Sequence, residues 1–309
     1  MKLRDLLAEV PGIVGVSGDL EVTIACLVSD SRQKEDMAGG VFFCISGAHF
    51  DAHRFAPQVV ERGAAALVVE RILPEVQVPQ VQVENMREAM SHMAAAFYGH
   101  PARKLKMAGV TGTKGKTTTT YLLKAIMEAG GLRCGLIGTT GNMIGETMIS
   151  SGLTTPDPID LQRTLRQMVD AGAEFIAMEA SAHALDMHRL DGIVFDAVGF
   201  TNISQDHLDY FVTMERYWRT KKRLFTPKYA RNAAFNVDDD CAEGMMEGVT
   251  LPTVTYGIRE AADIYARDIE ITENGVSFEL VLHGAQTRAI HLRLTGTFNV
   301  YNSLTAAAL

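Results

Sequence analysis

The sequence of residues 107–120, MAGVTGTKGKTTTT, constrains the fold of this chain more than any other stretch. A short apolar run predicts a buried strand, Gly112 and Gly115 allow a tight loop, and a helical pattern begins at Lys116. In this order the three elements predict a phosphate site, because the backbone N–H groups of the loop and the positive end of the helix face one anion. The spacing differs from G-x-x-x-x-G-K-[ST], since Val110 occupies the position of the first glycine.

Two residues of this stretch carry the expected chemistry. Lys116 is expected to place its charge on the terminal phosphates of a nucleotide, and the Thr117 hydroxyl to bind Mg²⁺. Phosphoryl transfer needs further groups that neutralise or position charge. Glu179, at the end of a predicted strand, is favoured as an oxygen ligand, although it could instead cap the next helix. His207 could bind a metal through a neutral nitrogen, or be a cap or a surface group, and the sequence leaves these readings equal.

The composition restricts the class of protein. The chain has 309 residues, which is long for one domain, and its net charge of −8, without a basic run or an aromatic-interleaved patch, argues against a nucleic-acid partner. The four cysteines are scattered without a C-x-x-C pair, which indicates thiols of a reducing compartment. The first residues lack the apolar core of a signal peptide, and no apolar run reaches membrane-spanning length. We therefore expect a cytoplasmic monomer that does not insert into a membrane.

Alternating helix and strand signals predict an α/β fold with two domains, residues 1–100 and 101–309, separated at the Gly-His-Pro sequence of residues 99–101. Acids and hydroxyls that follow apolar strands lie at the carboxyl edge of a parallel sheet, where such sheets bind ligands. Residues 253–294 are predicted to form short strands of a small β-rich appendage. The predicted strands are residues 21–29, 40–45, 65–69, 76–83, 107–110, 134–138, 175–178, 197–203 and 232–237. The predicted helices begin at Leu3 and continue with residues 55–63, 87–98, 116–127, 158–171, 214–225 and 302–309.

Several further motifs share the order and spacing of one family. They are TTPD, MEASAHALDMHR, TNISQDHLDY, YWRTKKRLF, NVDD and GTFNVYN, together with SDSR and GVFFCISGAHFD near the start. With the phosphate loop, they span the chain from about Ser29 to its last residue. On these motifs the chain resembles the Mur ligases, and within them the branch that adds the third peptide residue to a peptidoglycan precursor.

The resemblance implies an N-terminal α/β domain for the uridine nucleotide and a central, parallel-sheet domain for a mononucleotide. It implies an ATP- and Mg²⁺-dependent ligase that adds L-lysine or meso-diaminopimelate to UDP-N-acetylmuramoyl-L-alanyl-D-glutamate through an acyl phosphate. Family members carry a third, C-terminal domain, and the final helix here stops at AAAL without a Gly, Asn or Pro. We therefore expect a truncated form that binds the UDP-substrate and ligates poorly.

The resemblance also implies roles for individual residues. The implied catalytic residues are Lys116, Lys221, Glu179 and His207, and the implied metal ligands are Thr117, Glu179, His207 and a carbamylated Lys221 (N6-carboxylysine). The implied ATP-binding residues are Gly112, Thr113, Lys114, Gly115, Lys116, Thr117, Thr118, Asn299 and Asn302. The implied UDP-substrate residues are Ser29, Ser31, Thr154, Thr155, Ser181 and Arg189, with the loop of residues 46–50 near the uridine nucleotide.

Some of these positions carry qualifications. Lys114 stands where Asn is commoner, and Met187 replaces a polar residue of some relatives, so we expect no substrate hydrogen bond from it. The forked guanidinium of Arg189 suits a substrate carboxylate. Carbamylation would turn Lys221 into an anion able to hold a second Mg²⁺. Without it, Lys221 would be a solvated lysine on a basic helix face.

Two other functions remain open at this point. A related ligase such as folylpolyglutamate synthetase shares the phosphate loop, but the SDSR and GAHFD sequences near the start disfavour it. A non-catalytic nucleotide-binding module is the second alternative. Such a module would have lost its catalytic residues. The sequence argues against this loss, because it retains Lys116, Thr117, Glu179, His207 and Lys221.

Overall fold

The computed structural model describes residues 1–33, 37–47, 50–149, 152–284 and 286–309. Residues 48–49 of the loop that we expect near the uridine nucleotide lie outside the described residues. The chain divides into two compact units. The first is Met1–Pro101 with Pro158–Arg163, and the second is Ala102–Asp157 with Thr164–Leu309.

The first unit is built on a five-stranded sheet with the order β1-β7-β6-β3-β2. The β1–β7 pair is antiparallel and the other pairs are parallel. The two-stranded β4–β5 sheet is separate. The elements are α1 (Leu3–Leu6), β1 (Ile13–Ser17), β2 (Cys26–Val28), β3 (Gly40–Phe43), β4 (Ser46–Gly47), β5 (Phe50–Asp51), α2 (Ala56–Glu61), β6 (Ala66–Val69), β7 (Gln80–Val83) and α3 (Met86–Phe97), with a 3₁₀ turn at Ala52–Phe55.

Strands β3 and β6 are buried along their whole length, as their continuous apolar runs predict. Strand β1 was not predicted, because Val14 and Val16 of this edge strand are exposed and give no clear alternation. The predicted strand 76–83 begins only after Pro79, a residue that cannot donate to a ladder. The predicted strand 21–29 shortens to β2.

The second unit contains one eleven-stranded sheet, with the order β11-β10-β9-β12-β8-β13-β14-β15-β16-β17-β18. Its elements begin with β8 (Lys106–Thr111), α4 (Lys116–Ala129), β9 (Cys134–Gly138), β10 (Gly141–Ile144), β11 (Thr147–Ile149), α5 (Pro158–Asp170, of which Pro158–Arg163 is assigned to the first unit), β12 (Phe175–Glu179), α6 (Ala182–Asp186) and β13 (Ala197–Phe200). They continue with α7 (Leu208–Phe211), α8 (Met214–Lys222), β14 (Ala233–Asn236), α9 (Ala242–Met246), β15 (Thr253–Gly257), β16 (Ile264–Thr272), β17 (Gly275–Leu282), β18 (Gln286–Leu292) and α10 (Thr297–Ala308), with 3₁₀ turns at Pro101–Lys104 and Arg223–Phe225.

The middle of this sheet, from β9 to β16, is parallel, and β10, β11, β17 and β18 extend it with antiparallel pairs. The α/β class predicted from the sequence is therefore confirmed. The β-rich region is also present, but its strands continue the central sheet, because β15 pairs with β14 in parallel register. Its longest strand, β16, has nine residues, so the expectation of short strands is wrong there.

Parallel register brings the ends of three strands to one edge of the sheet. Glu179, the last residue of β12, pairs with Val110 of β8, and Gly199 of β13 pairs with the same residue. Helix α4 leaves this edge directly after β8 and packs on β12 and β9. Helix α10 packs against α4 and begins at Thr297, five residues before the predicted start. Residues distant in sequence therefore meet beside the phosphate loop.

In the described part of the chain no helix is both long and apolar enough to cross a membrane. The Cys44 and Cys134 thiols are free and buried, as the scattered cysteines predict. Burial raises the pKa of Cys44 to about 12 and that of Cys134 to about 11, which makes both thiols poor nucleophiles.

Candidate nucleotide and substrate site

The phosphate loop requires glycine at two positions for steric reasons. Gly112 has φ of 147° and Gly115 has φ of 89°, a backbone region that side chains rarely adopt. A Cβ at Gly112 would overlap the Thr201 hydroxyl, and a Cβ at Gly115 would overlap the Asn302 carboxamide oxygen. The loop is therefore packed directly against the segment after β13 and against helix α10.

The segment after β13 also holds the loop through hydrogen bonds. The Thr113 N–H donates to the Asn202 carbonyl at 2.8 Å, and the Lys114 N–H donates to the Asn202 side-chain oxygen at 2.9 Å. The Thr201 hydroxyl donates to the Lys114 carbonyl at 2.7 Å. Two loop amides are thus engaged within the protein. Donors that remain for an anion include those of the first turn of α4, whose N–H groups have no intrahelical partner.

Lys116 folds back onto the loop that precedes it. Its Nζ donates to the Gly112 carbonyl at 2.9 Å and to the Thr113 carbonyl at 3.0 Å. Burial lowers the pKa of Lys116, and Glu179 and Asp206 oppose that shift with their negative charges. The Lys116 ammonium is therefore held at the loop by hydrogen bonds to two backbone carbonyls. Phosphate oxygens could take the place of these acceptors.

Lys221 reaches the same carbonyl from helix α8. Its Nζ donates to the Gly112 carbonyl at 2.9 Å and lies 4.6 Å from the centre of the Tyr217 ring. Only 1% of Lys221 is exposed, which excludes the solvated-lysine alternative. Burial lowers the pKa of Lys221 well below its usual value, and the charge of Lys116 adds to that shift. The neighbouring Lys222 instead donates to the Gly244 carbonyl.

Glu179 is fully buried, and donors surround its carboxylate. Oε1 accepts from the Thr117 hydroxyl and from the Thr139 N–H, each at 2.9 Å, and Oε2 accepts from the Thr139 hydroxyl at 3.1 Å. The Ser181 hydroxyl, not Glu179, accepts from the first turn of α6. The helix-cap alternative for Glu179 is therefore wrong.

Polar residues of the loop before α5 adjoin this carboxylate. The Thr155 hydroxyl donates to the Glu179 backbone carbonyl at 2.9 Å and lies 3.3 Å from the Ser181 hydroxyl. The Thr154 hydroxyl lies 3.1 Å from that of Thr139, and Arg189 Nη1 donates to the Thr155 carbonyl at 3.0 Å. The structure thus brings together the four residues predicted here for the muramoyl substrate: Thr154, Thr155, Ser181 and Arg189.

His207 lies at the start of α7 with φ of 54°, and 48% of its side chain is exposed. Its ring packs edge-on against His183 at 4.8 Å between centroids and against Tyr217 at 6.1 Å. Among the described residues its side chain makes no cap hydrogen bond to α7, which leaves the metal and surface alternatives. Burial lowers the pKa of His183, and His207 adds to that shift, so the neutral form of the His183 ring is favoured.

The two asparagines predicted beside the adenine face inward. Asn302 Nδ2 donates to Asn299 Oδ1 at 3.0 Å, and Asn299 Nδ2 donates to the Thr295 carbonyl at 2.9 Å. Both side chains are buried, and Asn302 lies against Gly115. Their contacts connect α10 to the phosphate loop, and their role toward adenine stays a prediction.

Residues 110–309 match the family model described as the Mur ligase middle domain, and residues 23–98 match the model described as the Mur ligase family, catalytic domain. The chain belongs to the Mur ligase family. It is 45% identical over 320 residues to the UDP-N-acetylmuramoyl-L-alanyl-D-glutamate--2,6-diaminopimelate ligase of Geobacillus thermodenitrificans, and 40% identical over 319 residues to the protein of the same name from Geobacter sulfurreducens. These alignments cover all of this chain and 63% and 61% of the relatives, so the chain spans less than two thirds of their length.

One solved structure supports the same family. A structure of a UDP-N-acetylmuramoyl-L-alanyl-D-glutamate--2,6-diaminopimelate ligase is 27% identical with a TM-score of 0.85, over 99% of this chain and 62% of that one. A Mycobacterium tuberculosis folylpolyglutamate synthase complexed with ADP has a TM-score of 0.59 at 15% identity, over 72% of this chain and 57% of that one. The second likeness shows a shared fold only.

In this Mur ligase chain, Ser29 and Ser31 belong to the first unit. Ser29 is exposed, and the carbonyl of the half-buried Ser31 accepts from Arg62 at 2.6 Å. Their neighbour Asp30 pairs with Arg32, and the hydrogen bond from that guanidinium lowers the pKa of Asp30. The Ser31 hydroxyl remains a predicted contact to the uridine nucleotide.

Several residues of the candidate site were not predicted from the sequence. Thr139 gives two of the three donors to Glu179, Asn202 holds the loop, and His183 supports His207. Thr139 follows a predicted strand directly, so its position at the carboxyl edge was the available signal. Asn202 and His183 lie within quoted motifs, but their partners are distant in sequence.

Proposed function

We propose that this chain provides the ATP-binding and UDP-substrate-binding parts of a ligase that adds 2,6-diaminopimelate to UDP-N-acetylmuramoyl-L-alanyl-D-glutamate. One observation carries the proposal. Two lysines, Lys116 and Lys221, share the Gly112 carbonyl at the end of β8, beside the buried carboxylate of Glu179 at the end of β12. The names of the relatives favour diaminopimelate over L-lysine as the added residue.

The triphosphate of ATP is proposed to bind at the start of α4. Lys116 would exchange its two carbonyl acceptors for phosphate oxygens, and the free amides of the first turn of α4 would complete the contact. Thr113 and Lys114 then act by shaping the loop, because Asn202 already engages their amides. Asn299 and Asn302 would support the adenine from α10.

Mg²⁺ fits the donor set beside the loop, because the Thr117 hydroxyl and the Glu179 carboxylate are hard oxygen ligands 2.9 Å apart. His207 is proposed as a further ligand through a neutral nitrogen. Lys221 has the property that carbamylation requires, since a lysine with a lowered pKa is more often the neutral amine that reacts with CO₂. Bound Mg²⁺ would neutralise charge on the phosphates during transfer.

The proposed reaction forms an amide at the expense of ATP. The terminal carboxylate of the UDP-substrate attacks the γ-phosphate, which gives an acyl phosphate and ADP. The amine of the amino acid then attacks the acyl carbon, phosphate leaves, and the amine loses a proton. The protein contributes by holding anionic groups close together, with Lys116 on the phosphates and Thr155, Ser181 and Arg189 around the substrate.

The remaining assignments are part of the same proposal. Residues 1–100 and 101–309 act as domains for the uridine nucleotide and for ATP, in a cytoplasmic monomer. A folylpolyglutamate synthetase is disfavoured, since that likeness has 15% identity against 45% for a relative of the muramoyl class. A non-catalytic module is disfavoured because Lys221 and Glu179, two ionisable side chains, are both buried, and an abandoned site would not need to keep this unfavourable burial.

Calorimetric titration of the 309-residue chain tests the proposal. Lys116→Ala should weaken Mg-ATP binding by about 10- to 100-fold, because one charge-assisted contact is lost, and leave binding of the UDP-muramoyl dipeptide unchanged. Lys106→Ala, an exposed lysine on β8, is the matched control and should change neither. Equal binding of ATP by Lys116→Ala and wild type would refute the nucleotide site. Binding of a folate in place of the UDP-dipeptide would refute the proposed substrate assignment.

A further inference from the structure

The guanidinium of Arg189 has an unusual set of contacts. Nη1 donates to the Thr155 carbonyl at 3.0 Å, and within the described residues Nη2 contacts a single, weak acceptor, the Met187 sulfur, at 3.5 Å. Nε lies 2.9 Å from Asp157 Oδ1, yet among the described residues this buried N–H has no hydrogen-bond partner. The Asp157 contact is therefore an ion pair in which the N–H bond does not point at the oxygen.

Nε and Nη2 together form the side fork of a guanidinium, which a carboxylate can accept with both oxygens. In Arg189 neither donor of this fork has a strong hydrogen bond, whereas Nη1 is fixed on the backbone. Thr155 thus orients the fork through Nη1, whereas Asp157 does not accept a hydrogen bond from Nε. A better-placed carboxylate would gain two charge-assisted hydrogen bonds there.

The exposure of the two acceptors shows which one can leave. Thr155 is 1% exposed, and its hydroxyl donates to the Glu179 carbonyl, so its own carbonyl is fixed. The Asp157 side chain is 57% exposed, against 13% for that of Arg189. Asp157 also precedes α5 at its N-cap position, but within the described residues its side chain makes no cap hydrogen bond. The side chain is therefore available to turn away into solvent.

We propose that Asp157 is a displaceable internal carboxylate that determines which ligands Arg189 accepts. This proposal rests on the proposed function, in which Arg189 binds a carboxylate of the UDP-muramoyl dipeptide. The substrate carboxylate replaces Asp157 on the Nε–Nη2 fork, and Asp157 turns outward. Ligands without an anionic group leave the Asp157 pair in place, so the pair favours carboxylate-bearing substrates.

This exchange predicts the effect of Asp157→Asn on binding of the UDP-muramoyl dipeptide. Removing the competing charge should lower the dissociation constant by about two- to fivefold, the range expected for an exposed ion pair. Wild type swaps one carboxylate for another at Arg189, whereas the variant neutralises an uncompensated cation. The dissociation constant of the variant should therefore rise more steeply with salt than that of wild type.

Titration calorimetry at low and high salt, on wild type, Asp157→Asn, Asp157→Ala and Arg189→Ala, measures these effects. Asp170→Asn, which removes another exposed Asp–Arg pair, is the control and should bind as wild type does. In an Arg189→Ala background, Asp157→Asn should have no effect. Weaker or unchanged binding by both Asp157 variants, or an unchanged salt dependence, overturns the displacement. Failure of wild type itself to bind the UDP-dipeptide would instead refute the proposed function, and the displacement with it.

Discussion

The Glu179 carboxylate and the pair of lysines beside the phosphate loop differ in how they are satisfied. Glu179 receives hydrogen bonds from the Thr117 hydroxyl and from both the amide and the hydroxyl of Thr139. Lys116 and Lys221 instead share one carbonyl, repel each other, and have lowered pKa values because of burial. The carboxylate is thus preorganised by its hydrogen bonds. The lysines lack a negatively charged partner of comparable quality, and an incoming anion would stabilise their charged forms.

The largest effect on stability is expected from the satisfied side of this comparison. Glu179→Ala should lower the free energy of unfolding by about 3 kcal/mol, because it removes a fully buried carboxylate and its three charge-assisted hydrogen bonds from Thr117 and Thr139. Urea denaturation measures the change. Glu174→Ala, an exposed carboxylate just before the same strand, should change it by less than about 1 kcal/mol. Equal effects of the two substitutions would show that the Glu179 hydrogen bonds contribute little.

The next effect concerns the carbonyl that the lysines share. Gly112→Ala should lower the free energy of unfolding by about 2–3 kcal/mol and weaken ATP binding, because the new Cβ overlaps the buried Thr201 hydroxyl. Gly131→Ala is a matched control, since Gly131 also has positive φ but has open space around it. It should cost only the backbone strain, about 1 kcal/mol. If the two variants lose the same free energy of unfolding, the overlap of the new Cβ with Thr201 does not destabilise the protein.

A smaller effect, of opposite sign, is expected from the lysines. Lys221→Met keeps the volume and removes a buried amine whose desolvation is poorly compensated, so the free energy of unfolding should rise by about 1 kcal/mol while ligation is lost. Lys222→Met, on the neighbouring residue that bonds Gly244, serves as the control and should keep ligation in the full-length ligase. Destabilisation by Lys221→Met would mean that the lysine is better stabilised than its contacts indicate.

The smallest effect is a difference in pH dependence. Because the folded pKa of Lys221 is below the ordinary 10.5, at pH values between the two the unfolded chain holds a proton that the folded chain has released. The free energy of unfolding should therefore rise with pH from the lowered pKa up to about 10.5, and this rise should be smaller in Lys221→Met. Denaturation of both proteins between about pH 7 and about pH 9.5 measures the difference. Parallel curves would contradict the lowered pKa.

The elements that depend on a local sequence pattern could be predicted from the sequence. The glycines of the loop, the apolar strand before it and the helix after it lie within 24 residues, so β8 and α4 could be placed from their own residues. The position of Glu179 at the end of β12 followed from the same reasoning. The phosphate loop and the carboxyl edge were therefore accessible without a structure.

The rest depended on contacts across the sheet. Lys221 lies in the sequence TKKRLF and is indistinguishable by pattern from the exposed side of a basic helix, and only packing of α8 against the loop buries it. The pairing of Arg189 with Asp157 is likewise set by the loop before α5 and not by spacing. The continuous β-sheet from β14 to β18 was missed because strand order between hairpins is not a local property.

The contact between Gly115 and Asn302 has a consequence for protein engineering. A side chain at residue 115 would strike the Asn302 carboxamide, so the loop and α10 are matched surfaces that must be exchanged as a pair. A designer who transplanted a nucleotide loop from another enzyme into this scaffold would have to redesign the terminal helix in the same step.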